Sequence, residues 1–240
     1  MSLIEAIILG IVQGITEFLP ISSTGHLTLA GKFMGLISEE NPEHWTSFIA
    51  VIQLGTMLSI FVYFWKDLLN ILKEFLQNNL QKRVKYSEQS TNSKLGWMII
   101  IGTIPIVVIG LLFKDMIEGA LTKNLYVISG SLIVLAIILA IAEKTAKFKK
   151  NIENVTILDS VLIGLAQAVA LIPGSSRSGT TITGGLFLGL KRDVAARFSF
   201  LLSVPAILAS GMLQLIESLK YINYDLTVNL IVATIVSAVS

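Results

Sequence analysis

The chain has 240 residues, of which 53% are hydrophobic and only 14% are charged, and its mean hydropathy is +0.76. Because soluble domains carry about 25% charged residues, this composition excludes an ordinary soluble domain and predicts an integral membrane protein with the lipid bilayer as its surroundings. The chain has no cysteine, which excludes disulfides, thiol nucleophiles and thiolate metal sites, and its net charge of +2 does not indicate a nucleic-acid partner.

The predicted elements, in chain order, are all helical. Uncharged runs close to the roughly 20 residues that cross a hydrocarbon core predict transmembrane spans, and two pairs of shorter apolar segments predict helical hairpins. The fold class is therefore an all-α polytopic membrane protein. The order is a hairpin at 3–36, spans at 46–65, 95–113 and 125–142, a second hairpin at 157–190, and spans at 198–216 and 227–240.

Loop charge predicts the orientation of these spans. The loop at 66–94 holds six Lys or Arg against three acids, and the loop at 143–153 holds four Lys against two Glu. The positive-inside rule places both in the cytoplasm. The loops at 38–45 and 114–123 must then lie outside. Residues 77–94 are polar and are expected to form a mobile cytoplasmic loop.

Each hairpin is too short to cross the membrane twice. Its second helix has about 13 residues, or roughly 20 Å, against a core of roughly 30 Å. Pro20 and Pro173 break the two hairpins in a polar stretch. We expect re-entrant hairpins that enter from opposite faces, with their tips meeting near the midplane, where broken helices are tolerated if they line a protein cavity.

The two hairpins predict an inverted-topology repeat of residues 1–154 and 155–240. The second half has fewer spans than the first, so the repeat predicts that C-terminal spans are missing after Ser240. The matched positions are Gly10 with Gly164, Gln13 with Gln167, Pro20 with Pro173, Ser22-Ser23 with Ser175-Ser176, and Gly25 with Gly179.

The first polar stretch offers a carboxylate and an imidazole. Gln13 and Glu17 lie four residues apart on one helix face, where they could hold a hard divalent cation or position a water. His26 is suited to proton transfer or to attack on phosphorus. Ser22 and Ser23 could equally be an ordinary helix cap, and a lone histidine is often a satisfied core residue.

The second polar stretch has the composition of a phosphate cradle. A helix begins there, so free N–H groups point at the turn, and Arg177 adds a bidentate donor. The alternative is a helix-packing motif of small residues with a snorkelling arginine. The remaining candidate binding residues are Gly174 and Gly179, which permit close approach, and the hydroxyls of Ser175, Ser176, Ser178 and Thr181.

Two long runs carry a family resemblance. QGITEFLPISSTGH at 13–26 and PGSSRSGTTITGG at 173–185 resemble the two signature motifs of the undecaprenyl-diphosphate phosphatase family of the bacitracin-resistance type. The resemblance extends to the first 14 residues and to RFSFLLSVPAI at 197–207. The functional positions of the family's motifs fall on Gln13, Glu17, Ser23 and His26 in the first run and on Ser176, Arg177 and Thr181 in the second.

The resemblance implies hydrolysis of a C55 polyprenyl diphosphate to its monophosphate, with a divalent cation such as Mg²⁺ or Ca²⁺. It implies a multi-pass protein of the bacterial plasma (inner) membrane whose active site is reached from the outer face. The product would be the lipid carrier that is recycled for peptidoglycan synthesis, which would confer bacitracin resistance. A second copy of the chain, forming a homodimer, is a further expected partner.

The mechanism that follows leaves the nucleophile open. Arg177, the helix start at Ser176 and Thr181 would bind the diphosphate. Glu17, helped by Gln13, would hold the metal or a water. His26 would attack phosphorus or activate water, and Ser23 would orient it or act as the nucleophile. The rival function is a transporter or flippase of polyprenyl phosphate or another anion. A structural scaffold would leave the buried ionisable groups unexplained.

Overall fold

The computed structural model describes residues 1–38, 40, 42–119, 123–218 and 224–240, and these fold into helices with short connections. Their nearest approach to a strand is an isolated bridge between Lys150 and Leu190. The helices are α1 (Leu3–Thr16), α2 (Ser23–Phe33), α3 (Pro42–Tyr63), α4 (Trp65–Leu76), α5 (Thr91–Leu112), α6 (Lys114–Glu118), α7 (Leu125–Thr145), α8 (Ile157–Val169), α9 (Arg177–Phe187), α10 (Arg192–Ser218) and α11 (Tyr224–Val239), with a π-turn at Gln77–Gln81 and 3₁₀ turns at Tyr86–Glu88 and Ile152–Asn154.

Among the described residues, four helices are long and apolar enough to cross a membrane: α3, α5, α7 and α10. They contain nearly all of the spans predicted at 46–65, 95–113, 125–142 and 198–216, so those spans are confirmed as apolar helices of spanning length. The observed helices are longer because capping and polar residues continue the hydrogen-bonded turns beyond the apolar run. The span predicted at 227–240 falls on the shorter helix α11.

The loop predicted at 66–94 is partly wrong. Residues 66–76 belong to helix α4, because Leu68 and Ile71 face one way at helical spacing and pack on a buried core. Residues 77–94 are tied by side-chain hydrogen bonds: Gln89 Nε2 donates to Asn79 Oδ1 at 2.8 Å, and Ser93 Oγ donates to Gln89 Oε1 at 2.9 Å. A polar composition therefore hid a helix and a buried amide network.

The two hairpins begin in the same way. Ser2 and Glu5 form a capping box at the start of α1, and Thr156 and Asp159 form one at the start of α8. The helices that follow the tips, α2 and α9, have 11 residues each, which is about 17 Å of helix. Neither is long enough to cross the hydrocarbon core.

Close helix pairs hold each hairpin against a helix from the other half of the chain. Helix α1 packs along α11, helix α8 packs along α5, and α3 packs along α10 between them. A Cβ on Gly10 would lie 2.7 Å from the Ala233 carbonyl oxygen, and one on Gly164 would lie 2.3 Å from that of Gly102. Only glycine permits these approaches, so both hairpins are seated by backbone contact.

Candidate functional site

The two hairpin tips touch each other. Ser178 Oγ donates a hydrogen bond of 2.9 Å to the carbonyl oxygen of Leu19, and Ser176 Oγ donates one of 3.4 Å to the same oxygen. Arg177 Nη2 forms an ion pair with Glu17 Oε1. The expectation that the tips meet is thereby confirmed, and the contact joins residues about 160 positions apart in the chain.

The Glu17 carboxylate is the centre of this contact. The residue is only 6% exposed. Its Oε2 accepts hydrogen bonds from Gln13 Nε2 at 2.8 Å and from Ser23 Oγ at 2.5 Å, while Oε1 faces Arg177. A buried carboxylate is tolerated only when it is paired and hydrogen-bonded. Four residues that the sequence predicted for the site therefore form one buried cluster.

Arg177 stands at the first position of α9, where the helix N-terminus and its own charge both favour an anion. The preceding Ser176 caps the helix, since its Oγ accepts from Gly179 N at 3.1 Å. Thr181 Oγ1 donates to the Arg177 carbonyl oxygen at 2.8 Å and lies 2.5 Å from Ser199 Oγ on α10. These contacts fix the backbone that carries the guanidinium.

Each tip contains a residue with positive φ, whereas residues in right-handed helices and in strands have negative φ. Ser22 has φ 65°, and its Oγ caps α2 by accepting from Gly25 N at 3.2 Å. Gly174 has φ 83°. A left-handed conformation at a serine is uncommon and tends to occur at functional sites. The tips are thus sharply bent just before the short helices begin.

Helix α7 supports both tips from one side. Ser131 Oγ hydrogen-bonds to the Pro173 carbonyl oxygen. A Cβ on Gly174 would lie 2.4 Å from the Ile128 carbonyl oxygen, and one on Gly25 would lie 3.2 Å from Ile128 Cγ2. One turn of α7 therefore touches the tip of each hairpin. Ser131 was not among the predicted residues, and a serine beside Gly130 in an apolar span was its only sequence signal.

A cavity of about 500 Å³ opens beside the tips. Glu17, Ser23 and Arg177 are among the residues that line it. Apolar residues of α5 and α10 form much of the wall, and Lys114 and Lys123 line it as well. Of the other predicted residues, Gly174, Ser175 and Ser176 line the cavity, whereas Gln13, Ser178, Gly179 and Thr181 are not among its lining residues.

His26 lies apart from the cavity. Its side chain is exposed and is not among the cavity-lining residues, and its Nδ1 lies 2.8 Å from the Ser22 carbonyl oxygen. A hydrogen bond there requires the Nδ1–H tautomer, which leaves Nε2 as the acceptor nitrogen. Ser23, by contrast, both lines the cavity and touches Glu17. The nucleophile stays a prediction, and the geometry favours Ser23 over His26.

The residues at Glu17 fit a divalent cation that is shared with a phosphate ligand. In the part of the chain that the structure describes, no group of three or more His, Asp or Glu residues could form a metal cage by itself. The amide nitrogen of Gln13 faces Glu17, so its Oε1 points away, and that oxygen is buried without a hydrogen-bond partner. Glu17 is the residue of this pair that lines the cavity, and a single carboxylate there suits Mg²⁺, which takes further ligands from phosphate and water.

Comparisons with known proteins point to one family. The family model described as bacitracin resistance protein BacA matches residues 6–240. The chain is 55% identical over 240 residues to an undecaprenyl-diphosphatase of Syntrophobacter fumaroxidans, covering all of this chain and 85% of the relative. It is 50% identical to the undecaprenyl-diphosphatase of Chlorobium limicola and 49% identical to that of Chloroherpeton thalassium, covering all of this chain and 84% of each relative.

Proposed function

Because the chain belongs to the bacitracin resistance protein BacA family, we propose that it hydrolyses undecaprenyl diphosphate where its two hairpin tips meet. The products are undecaprenyl phosphate, which returns as the lipid carrier for peptidoglycan synthesis, and inorganic phosphate. The protein is a membrane phosphatase, as its relatives' names and its apolar helices indicate. The observation that carries the assignment to this site is the buried Glu17–Arg177 pair with Ser23 on the cavity wall.

Arg177 is proposed to grip the diphosphate. A guanidinium has five N–H donors, so it can bind phosphate oxygens while it still faces Glu17. The N-terminus of α9 points the same way and adds the partial positive charge of the helix dipole. Ser175 and Ser176 line the same end of the cavity and supply hydroxyl or backbone contacts. In phosphoryl transfer such positioning and charge provide most of the catalysis.

Ser23 is proposed as the nucleophile. Its Oγ attacks the terminal phosphorus, and the bond from that phosphorus to the bridging oxygen breaks, so undecaprenyl phosphate leaves with the electron pair. The hydroxyl proton passes to the Glu17 carboxylate, which already accepts it in a hydrogen bond of 2.5 Å. Water then hydrolyses the phosphoserine and releases inorganic phosphate.

A divalent cation fits beside these groups. Glu17, which lines the cavity, would hold it together with phosphate oxygens. Such an ion supplies positive charge for the phosphate oxygens. Gln13 would support this ligand, because its amide nitrogen donates hydrogen bonds to Glu17 and Thr56 and so fixes the carboxylate.

The cavity is proposed to open to the outer face of the bacterial plasma membrane. Its lining includes Thr46, Lys114 and Lys123, which lie at or beside the loops that the charge pattern predicts to be outside. Val107 and Leu111 of α5 line the cavity and are also exposed on the helix surface. This wall gives the prenyl tail an apolar route between the cavity and the acyl chains.

The fold is proposed to be an inverted repeat with re-entrant hairpins. Three similarities between the halves support it. Capping boxes begin α1 and α8, and α2 and α9 are equal in length. Each hairpin also packs on a helix of the opposite half, α1 on α11 and α8 on α5. The matched glycines Gly10 and Gly164 sit at those two helix contacts. Opposite entry of the hairpins would bring both tips to the same depth.

Phosphate release from undecaprenyl diphosphate tests the activity. Purified protein in vesicles should release phosphate and stop when a chelator removes divalent cations. Substrate labelled in the terminal phosphate should leave the label on serine after a rapid quench, and Ser23→Ala should abolish both label and turnover. Label on histidine would overturn the role of Ser23. Binding or movement of polyprenyl phosphate without phosphate release would favour a transporter.

A further inference from the structure

Helix α4 has three different faces, and only one of them packs on the buried core. Leu68, Ile71 and Phe75 face inward: the first two pack on the core formed with α5 and α10, and the Phe75 ring lies edge-on to Trp97 at 5.1 Å. Asp67 at the edge of this face pairs with Arg197 of α10 at 2.9 Å. These contacts fix the rotation of α4 about its axis.

A second face carries large apolar side chains in the open. Trp65 is 53% exposed, Leu69 51%, Leu72 54% and Leu76 38%. At 100° per residue these four positions fall within an arc of about 60°. In water such a continuous strip would be unfavourable, because exposed apolar surface costs free energy in proportion to its area.

The third face is basic and lies directly beside the apolar strip. Lys66, Asn70 and Lys73 are exposed there. The turn after α4 adds exposed Lys82 and Arg83. An apolar strip bordered by lysines is what a helix lying flat in a membrane interface requires.

The position of α4 points to the same place. It begins two residues after α3 ends, and the last residues of α3, Val62 and Tyr63, are 79% and 82% exposed, so the apolar strip continues a surface that faces lipid in a spanning helix. With 12 residues, α4 is about 18 Å long and cannot cross the core. The charge of the 66–94 segment places this end in the cytoplasm.

We propose that α4 lies in the plane of the cytoplasmic membrane interface and binds anionic lipid. Its strip at Trp65, Leu69, Leu72 and Leu76 enters the acyl region, and Lys66 and Lys73 meet anionic headgroups. Basic residues near an anionic membrane surface are attracted to it. This surface lies on α4, away from the residues assigned to hydrolysis, so it stands whether or not that assignment holds.

The absence of cysteine in the chain allows a direct test. Single variants Leu69→Cys and Leu72→Cys, with Asn70→Cys as the matched control on the basic face, are labelled with an environment-sensitive dye and placed in vesicles of phosphatidylcholine and phosphatidylglycerol. The labels at 69 and 72 should emit at shorter wavelength and be quenched by lipids brominated on the acyl chain. The label at 70 should show neither effect.

The headgroup arm separates anionic lipid from lipid in general. Brominated phosphatidylglycerol should quench the labels at 69 and 72 more strongly than brominated phosphatidylcholine, and Lys66→Gln with Lys73→Gln should remove that preference. Equal quenching by both lipids would overturn the anionic part. Short-wavelength emission without quenching by either lipid would show that protein covers the strip, a second copy of the chain included, and would overturn the proposal.

Discussion

At the first hairpin tip Ser22 caps α2 with φ 65°, and at the second Ser176 caps α9 just after Gly174 with φ 83°. In both tips the serine oxygen accepts from a glycine N–H three residues later, at 3.2 and 3.1 Å. The chemistry carried on this shared frame differs. The first tip brings the carboxylate of Glu17, and the second brings the guanidinium of Arg177.

The difference teaches that the repeated frame supplies position and the unique residues supply chemistry. Neither charge would be stable alone at its depth, since an unpaired buried charge costs several kcal/mol. Each tip therefore depends on the other for its charge partner. We expect residues of the first tip to determine metal binding and proton transfer, and residues of the second tip to determine phosphate binding.

We expect the largest effect when the ion pair between Glu17 and Arg177 is broken by a substitution in the second tip. Arg177→Ala should lower turnover by about 10³, as does the loss of other arginines that stabilise a transferred phosphoryl group. It also leaves Glu17 buried without its partner. Arg177→Lys keeps the charge but not the fork, and should recover part of the loss. Phosphate release at saturating substrate measures both, and near-native release by the alanine variant would remove the grip from Arg177.

The next effect separates strain from contact at the second tip. Gly174→Ala should lower turnover by about 10², because its Cβ meets the Ile128 carbonyl and would shift the Arg177 loop by a fraction of an ångström. Gly189→Ala is the control, since Gly189 has φ 84° but nothing within 4 Å of its Cβ position. Equal losses in the two variants would show that backbone strain, and not the α7 contact, is responsible.

A smaller effect, on the Mg²⁺ dependence of activity, should show that the metal binds at the first tip. Gln13→Met removes the amide nitrogen that donates to Glu17 and should raise the Mg²⁺ concentration for half-maximal activity by about 10-fold, the scale expected when a residue that supports a metal ligand is lost. The control is Gln167→Met, at the matched position of the second hairpin, which is equally buried. A matching shift in the control, or none in Gln13→Met, would take the metal away from the first tip.

The smallest effect concerns the helix that supports both tips. Ser131→Ala removes one hydrogen bond to the Pro173 carbonyl oxygen, which is worth about 1 kcal/mol or roughly five-fold in turnover if the loop moves. Gly130→Ala, the neighbouring change with open space around its Cβ, should leave turnover unchanged. The substrate concentration dependence of phosphate release checks both variants. Wild-type values for Ser131→Ala would show that α7 only fills space.

Much of this molecule follows from local patterns in the sequence. Apolar length predicts the four long helices, and the matched prolines and Ser-Ser pairs predict two tips that meet. Glu17 and Arg177 were predicted as site residues because charge inside an apolar chain is unfavourable without a role. The identities that define the site were therefore visible before any contact was known.

The rest depends on tertiary contacts that spacing does not encode. Helix α4 was missed because its lysines made a loop more plausible, while Ile71 and Phe75 find their partners on α5 only after folding. The support from Ser131 is invisible in an apolar span. Ser178 and Thr181 were predicted to bind substrate but make scaffold contacts, with Leu19 and Ser199, because a hydroxyl's direction is set by its neighbours.

A double-mutant cycle of turnover tests most directly the claim that the tips form one catalytic site. Phosphate release is measured for wild type, Glu17→Gln, Arg177→Ala and the double variant. If the two residues act as a unit, the double variant should lose no more than the worse single variant, because either change already dismantles the pair. Losses that multiply would mean that Glu17 and Arg177 act independently, which would contradict a shared site.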